Sequence, residues 1–566
     1  TFGTDFERDA NGNIIRNSSG DGIPITSLEH YRRTLLELPG YRPTQFSIVQ
    51  GDPAVGLSQW EMGWFAQDDW RVSPKLTFSY GLRHEFQTNL DDKLNFSPRL
   101  GIAWQPTKNG TVRGGGGFFF QRLDDSITFD TIRLDGQHQR QLTVDQPPFF
   151  PDIPAIIEGG RVGQPTIRTK SDGLNAPYTM IATIGYDRQL PWHMQGNLNY
   201  TWTRGVHLLR TRNINAPTVV EGLPVKPFPD EGPILQYEST GFSERNEIRV
   251  TLSRRFNPRM TWFTTYAYSH LNSDTDSAGT SPANPHNLAF EWGRASFDVR
   301  HRFNLFGQFT LPWDVRVSPM LSISSGRPFN ITTGRDNNFD LQITDRPAFA
   351  NPGDSGAVIT KYGVFNPNPG INDIIIPRNF GDGPGAVTLN MSFSKSFGFG
   401  GPAPGFPGGF GGNRQNQQRG AQGSQASGQN GQAGAPQANV NAQNERAGGF
   451  GGGRGGQGGG RGGQGGGGGR GGPGAGGGGG FGGGGGGFGG GGGGFRGGPG
   501  GGPGFGAFGG GDTRSRFNLT LGVEVNNILN HTNLGNFNGV LTSPLFGLSN
   551  TTQSARRVNV SLRFNF

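Results

Sequence analysis

The chain has 566 residues, no cysteine, 102 glycines and a formal net charge of +8. The missing cysteine excludes a disulfide-stapled scaffold, thiolate metal sites and thiol chemistry, and no stretch approaches the ~18–20 apolar residues that a membrane helix needs. Residues 399–511 contain seven arginines, no lysine and one acid, and so carry six of the eight net charges; the near-neutral remainder excludes a general nucleic-acid-binding surface.

Residues 1–56 open without a basic segment followed by an apolar run, so no targeting signal is read there, and the chain is expected to be a fragment. Asp9-Ala10-Asn11-Gly12-Asn13 reads as turn punctuation. Clear strand patterning begins at Leu57. Leu57–Arg71 and Lys75–Phe86 flank a Val-Ser-Pro turn at 72–74, and Leu76, Phe78, Tyr80 and Leu82 alternate with Thr77, Ser79, Gly81 and Arg83. Leu100, Ile102 and Trp104 alternate in the next segment, and the turn Pro106–Gly110 leads into Val112–Phe120. Tyr178–Leu190 and His193–Thr203 meet at Leu190-Pro191-Trp192; Glu247–Phe256 and Met260–Tyr268 meet at Asn257-Pro258-Arg259; Arg302–Leu311 and Asp314–Ser325 meet at Leu311-Pro312-Trp313. Proline cannot donate to a ladder and belongs at such turns.

Val387, Leu389, Met391 and Phe393 form a further alternating strand, as do Phe517, Leu519, Leu521, Val523 and Val525, with the glycine-rich tract between them. The last segment, Arg556–Phe566, alternates Val558, Val560, Leu562, Phe564 and Phe566 with polar residues. Each strand thus has one apolar and one polar wall.

Connection lengths decide the architecture. Those at 72–74, 106–110, 191–192, 257–259 and 312–313 are short, and those at 87–97, 121–176, 206–243, 271–298, 327–385 and 529–555 are long. Strict alternation of short and long is the signature of a barrel with tight turns on one rim and large loops on the other. A soluble sandwich mixes loop lengths at both ends. The expectation is an all-β fold, an antiparallel transmembrane β-barrel of which about 13 to 14 strands are visible. By parity the glycine-rich connection falls on the tight-turn rim, as a disordered insertion. The predicted organisation is 1–56, an amino-terminal loop or partial-strand region; 57–398, barrel; 399–513, a Gly/Arg-rich periplasmic insertion; and 514–566, the last two barrel strands.

Few residues suggest chemistry. The nine histidines form no pair at metal-ligand spacing. The pairs Asp68-Asp69, Asp91-Asp92 and Asp124-Asp125 would point to opposite faces of a strand, which does not suit general acid–base work; no enzyme is expected. Asp336, Asn338 and Asp340 have the i, i+2, i+4 oxygen spacing of a calcium loop, but Leu341 and Pro347 stand where an EF-hand needs glycine and a bidentate acid. A polar loop turn is the competing reading, and calcium is the one cofactor weighed. Trp192 and Trp313 suit a membrane–water boundary, against a plain core-plugging role. Arg454, Arg461, Arg470 and Arg496, each followed by two glycines, and Phe481, Phe488 and Phe495 could stack on bases; the alternative is a linker too poor in apolar residues to fold.

Several motifs in order resemble the barrel of TonB-dependent outer-membrane receptors, especially the Oar-like group. They are Trp64-Phe65-Ala66-Gln67-Asp68-Asp69-Trp70, Phe96-Ser97-Pro98-Arg99, Phe297-Asp298-Val299-Arg300-His301-Arg302-Phe303, Ser325-Gly326-Arg327-Pro328-Phe329, Gly334-Arg335-Asp336-Asn337-Asn338, Asn526-Asn527-Ile528-Leu529-Asn530-His531-Thr532-Asn533 and Asn536-Phe537. The resemblance covers about Leu57 to Gly398 and Arg514 to Phe566. It implies a full barrel of 22 strands with an amino-terminal plug and TonB-contact segment, neither of which is recognised here. It also implies an outer-membrane location, import of a nutrient (glycan, peptide or metal chelate) energised through the TonB system, and Phe564 and Phe566 as the signal read by the barrel-assembly machinery. The expected partners are the lipid bilayer, that machinery, TonB through the missing region and an extracellular ligand, with no nucleic acid. An adhesion barrel without transport and a soluble nucleic-acid-binding protein of the Arg-Gly-Gly type are the alternatives.

Overall fold

Segments that alternate apolar and polar residues extend into strands, and a tight turn between two of them folds the chain into an antiparallel pair. Repetition of that unit gives this protein a continuous meander. The computed structural model describes residues 7–9, 13–16, 23, 25, 27–38, 45–145, 147, 149, 152–153, 164–220, 223–257, 259–340, 342–370, 373–402, 515–549 and 551–565, all within one compact unit. The strands of the meander are β1 (Glu61–Ser73), β2 (Leu76–Gln87), β3 (Asn95–Thr107), β4 (Gly110–Phe120), β5 (Tyr178–Leu190), β6 (Met194–Asn213), β7 (Ile234–Asn257), β8 (Met260–Ser273), β9 (His301–Thr310), β10 (Arg316–Ser324), β11 (Ala386–Pro402), β12 (Ser515–Asn526) and β13 (Arg557–Asn565). They pair in sequence order, and two short segments, Ile167–Lys170 and Gly293–Arg294, add to β7 and β8.

The register aligns the faces across the whole sheet. One hydrogen-bonded row runs Leu76–Trp104–Val112–Tyr186–Leu198–Val250–Tyr266–Phe303–Ile323–Val387, from β2 to β11. Each of its members is apolar or aromatic. One residue along, the opposite face reads Thr77–Ala103–Arg113–Gly185–Asn199–Arg249–Ala267–Arg302–Ser324–Ala386. Among the described residues, no second layer lies over the apolar face. Ile184 is 57% exposed, Leu198 51%, Val560 69% and Leu562 68%. A water-soluble sheet buries this face, since roughly 25 cal/mol is lost for each Å² of apolar surface left in water.

The connections confirm the two-rim pattern, with corrections. Tight turns occupy 74–75, 108–109, 191–193, 258–259 and 311–315, while the opposite rim carries 88–94, 121–177, 214–233, 274–300, 325–385 and 527–556. The expected long connection at 87–97 is therefore brief. The expected loop at 206–243 is largely strand, because β6 continues to Asn213 and β7 starts at Ile234. There the ladder is carried on by polar pairs such as Glu238↔Arg210 and shifts register around Gly241, so the period-two apolar signal disappears although pairing persists. The first strand starts at Glu61, not Leu57. The segment before it, Gln45–Gly51, pairs with Gln139–Asp145 and does not join the meander. Two helices, Ser27–Leu35 and Asp125–Arg133, were not expected; the second is capped by Asp124, whose carboxylate accepts from Ser126 N at 2.8 Å.

β11 ends and β12 begins at the tight-turn rim, as parity requires; residues 403–514 lie outside the described residues. β1 and β13, the two edges of the path, run in the same direction because the number of strands between them is odd.

The long-connection rim has cores of its own. Leu90, Leu123, Ile127, Leu174, Ala176 and Tyr237 form one buried cluster. Ile331, Phe365, Ile376 and Leu541 form another, which joins the 325–385 and 527–556 connections. These connections are packed structures.

Candidate functional site

The predicted calcium residues lie on the long-connection rim. Alternating Asx residues there bend the chain back onto its own amides. Asp340 N donates to Asp336 Oδ1 and to Asn338 Oδ1, both at 3.1 Å, and Gln342 N donates to Asp340 Oδ1 at 2.7 Å. Asp345 joins them by accepting from Asn337 N at 2.7 Å. So the three residues are brought together, with Asp345 as a third carboxylate beside Asp336 and Asp340. Each named oxygen already receives a backbone N–H, with which a cation would compete. Among the described residues no group of three or more His, Cys, Asp or Glu has the geometry to hold a metal ion. Asp340 is 2% exposed and Asp345 8%. Burial pushes the Asp340 carboxyl up to about 7, helped by the charges of Asp336 and Asp345; burial, then Asp336, pushes Asp345 up to about 6.

This bend also ties connections together. Asn213 Nδ2 donates to Asp340 O at 2.8 Å, Asn338 Nδ2 to Ala283 O at 2.9 Å and Thr344 Oγ1 to Pro282 O at 3.1 Å. Beside it, buried Arg346 pairs with buried Glu291 at 3.0 Å.

Trp192 and Trp313 sit on the tight-turn rim, 74% and 82% exposed. Their backbones are nearly identical, φ 59 ψ 28 and φ 61 ψ 23, and the following His193 and Asp314 also have positive φ. A bulky residue in the left-handed region is strained. The same backbone recurs at both Leu-Pro-Trp turns, and both indoles are left exposed. Phe564 lies on the same rim, stacked with Phe517 and Phe399 at ring distances of 6.0 Å each; Phe566 lies outside the described residues. At the other end of the apolar face stand Phe120 with Tyr178 at 5.0 Å and Tyr268 with His301 at 5.2 Å. Aromatic side chains thus stand at both ends of the apolar row. Asp68 and Asp69 point to opposite faces, opposite Tyr80 and Ser79.

The polar face holds a cluster that the sequence reading missed. On β7, Arg245, Glu247 and Arg249 alternate onto this face, and Arg302 of β9 reaches the same carboxylate. The signal was present as Arg-Asn-Glu-Ile-Arg, three charges at period two, but the contribution of β9 needs the register. Other pairs on this face are one to one: Arg113 Nε with Asp187 at 2.9 Å, and Arg83 with Glu85. A cavity of about 200 Å³ lies against β1, with Glu61, Arg83, Glu85 and Arg122 on its walls.

A protein-family model described as "Outer membrane beta barrel domain" matches residues 2–94 and 89–402. No curated protein matches the chain. Among solved structures, the outer membrane transporter YddB from Escherichia coli is similar at 12% identity over 59% of this chain and 39% of that one, with a TM-score of 0.40. The ferric enterobactin receptor PfeA from Pseudomonas aeruginosa, in a mutant form, is similar at 10% identity over 89% and 44%, with a TM-score of 0.41. The siderophore receptor PirA from Acinetobacter baumannii gives 10%, 89%, 45% and 0.41. The chain spans about two-fifths of the length of these structures.

Proposed function

Since the chain belongs to the outer-membrane β-barrel family, whose model matches residues 2–402, and lies in the outer membrane, we propose that it is the carboxy-terminal wall of a TonB-dependent receptor that imports a nutrient. The observation that carries this reading is the uncovered apolar row across ten strands, Leu76 to Val387, with a polar row behind it. Hydrocarbon is the solvent that suits the first, and a wet lumen suits the second. A spanning sheet must close, because lipid offers no partner to a free edge. With β1 and β13 running the same way, antiparallel closure takes an odd number of further strands, which fits a 22-stranded barrel.

The TonB assignment is supported by motif positions. Phe297–Phe303 leads into β9, Ser325–Phe329 leaves β10 and Asn526–Asn533 leaves β12, each where strand and long connection meet. The ligand, a glycan fragment, peptide or metal chelate, would be captured by the packed connections of the long-connection rim. The bend at Asp336, Asn338 and Asp340 acts in the same proposal as a polar brace for that rim, its oxygens satisfied by backbone amides. We ascribe no catalytic step to the chain, and an outer-membrane location removes the soluble nucleic-acid-binding alternative. The test is uptake by cells that carry the full-length gene, with and without TonB. Ligand accumulation that needs TonB supports transport; ligand binding at the surface with no TonB-dependent accumulation makes this an adhesion barrel.

A further inference from the structure

The two Leu-Pro-Trp turns share more than their backbone. The first joins β5 to β6 and the second β9 to β10. In each case the strand that pairs next in the sheet carries a cation at the level of the turn. Arg254 of β7 lies opposite Met194, the first residue of β6. On β11, Ser394 lies opposite Arg316, the first residue of β10, so Lys395 comes level with the second turn. Counting in twos from Val250 and Val387, both members of the apolar row, puts Arg254 and Lys395 on the apolar face. Arg188 of β5 joins the first turn on that face, in register with Gly110 on one side and Gly196 on the other. Its guanidinium has no partner among the described residues. The Lys395 ammonium stands 4.8 Å from the Phe397 ring centroid.

The charge on this part of the wall has one sign. From β5 to β11, the tight-turn half of the apolar face bears Arg188, Arg254 and Lys395 and no acid. The acid on the face, Glu244, lies towards the other rim, where it accepts from Trp202 Nε1 at 3.1 Å. Asp187 is turned to the polar face, onto Arg113 and Asn197. Asp314 of the second turn forms no ion pair among the described residues.

A cation on a lipid-facing wall is costly at the bilayer midplane and nearly free at the interface, where long basic side chains reach out to the headgroups. Phosphate oxygens wait there, and an indole beside the cation sits at the same depth. We propose that the two Leu-Pro-Trp turns are binding sites for anionic phospholipid, one made by Trp192, Arg188 and Arg254 and the other by Trp313 and Lys395. The cations take the headgroup phosphate, and the indole packs beside the glycerol. The inference rests on the reading of the apolar face as lipid-facing, and adds to it a preference for one class of lipid at the tight-turn rim.

The test uses the full-length protein in phosphatidylcholine vesicles, with a bimane fluorophore on Leu190→Cys or on Leu311→Cys. Quenching by phosphatidylglycerol with brominated chains is compared with quenching by brominated phosphatidylcholine at the same mole fraction. Each basic residue near an anionic headgroup is worth about fivefold in affinity. Quenching at 311 should therefore favour phosphatidylglycerol about fivefold, and quenching at 190 by at least as much. Arg254→Gln should lower the preference at 190 about fivefold and leave that at 311 unchanged; Lys395→Gln should do the reverse. Arg113→Gln, a cation lost from the polar face, should change neither. Heat-modifiable migration on gels shows that each variant is folded, and Arg188→Gln replaces Arg254→Gln if the latter fails. The proposal is overturned if Arg254→Gln and Lys395→Gln keep the parent's preference, or if Arg113→Gln lowers it as much, since net charge alone would then explain it. Excess inorganic phosphate at matched ionic strength should leave the preference in place, and displacement by it overturns the assignment to lipid. Equal quenching by the two lipids sinks the sites alone; no quenching by either sinks the lipid-facing reading itself.

Discussion

Adjacent residues on β6 offer a clean test of which face meets lipid. Leu198 lies in the apolar row between Tyr186 and Val250, and is 51% exposed. Asn197 points the other way and donates Nδ2 to Asp187 at 2.7 Å. Leu198→Arg would place a guanidinium in hydrocarbon, at a cost of about 2–4 kcal/mol near the bilayer midplane. That is roughly a 30- to 1000-fold loss in the folding equilibrium. Asn197→Arg would keep a carboxylate partner in a wet lumen, with an expected effect within about 0.5 kcal/mol. The assay is denaturant-dependent folding of the full-length protein into phospholipid vesicles. Equal costs for the two substitutions, or a silent Leu198→Arg, would refute the reasoning, because they would mean that neither face is in contact with lipid.

Other outcomes follow from the rims. Trp192→Asn and Trp313→Asn place a residue tolerant of φ near 60° at each strained turn, and each is expected to raise stability in detergent by about 1 kcal/mol. In bilayers the same variants lose an interfacial anchor, so the gain should vanish in vesicle-based unfolding measurements. Phe564→Ala removes one ring of the stack with Phe517 and Phe399 and is expected to slow assembly in cells, read as accumulation of the unfolded form by pulse-chase. The Asp340 carboxyl, with its value raised to about 7, keeps its proton in the folded bend where the unfolded chain has lost it. Its contribution is therefore fully present below about pH 4 and fades as the pH rises to about 7. Hydrogen exchange over 333–346 should quicken across that window beyond the intrinsic rate, and Asp340→Asn should flatten the change.

Much of the wall was legible because lipid-facing strands alternate strictly: Val387, Leu389, Met391 and Phe393 gave β11, and the two Leu-Pro-Trp sequences gave the turns after β5 and β9. The pattern faded where β6 and β7 leave the apolar row. There Arg212 pairs with Glu238 at 2.9 Å and Arg210 with Asp274 at 2.7 Å, and the register shifts around Gly241, so the alternation breaks and a real ladder looked like a loop. The small pairings on the rim were illegible for a different reason. Gln45–Gly51 finds Gln139–Asp145 across some ninety residues, and neither segment signals its partner. The arginine cluster was half visible: Arg245, Glu247 and Arg249 share a face by period alone, whereas Arg302 arrives only through the β7–β8–β9 register. The bend at Asp336, Asn338 and Asp340 was found by its spacing, but Asp345 folds back onto Asn337 N, a contact no local motif announces.

The most direct measurement places spin labels along β7, one at a time, in the full-length protein in vesicles. Collision rates with oxygen, which dissolves in hydrocarbon, and with a nickel chelate, which stays in water, are then compared. Labels at Ile248, Val250 and Leu252 should favour oxygen, and labels at Thr251 and Ser253 the chelate, alternating residue by residue. Uniform access to the chelate at all five positions would contradict the account, since the apolar wall would then be facing water or protein.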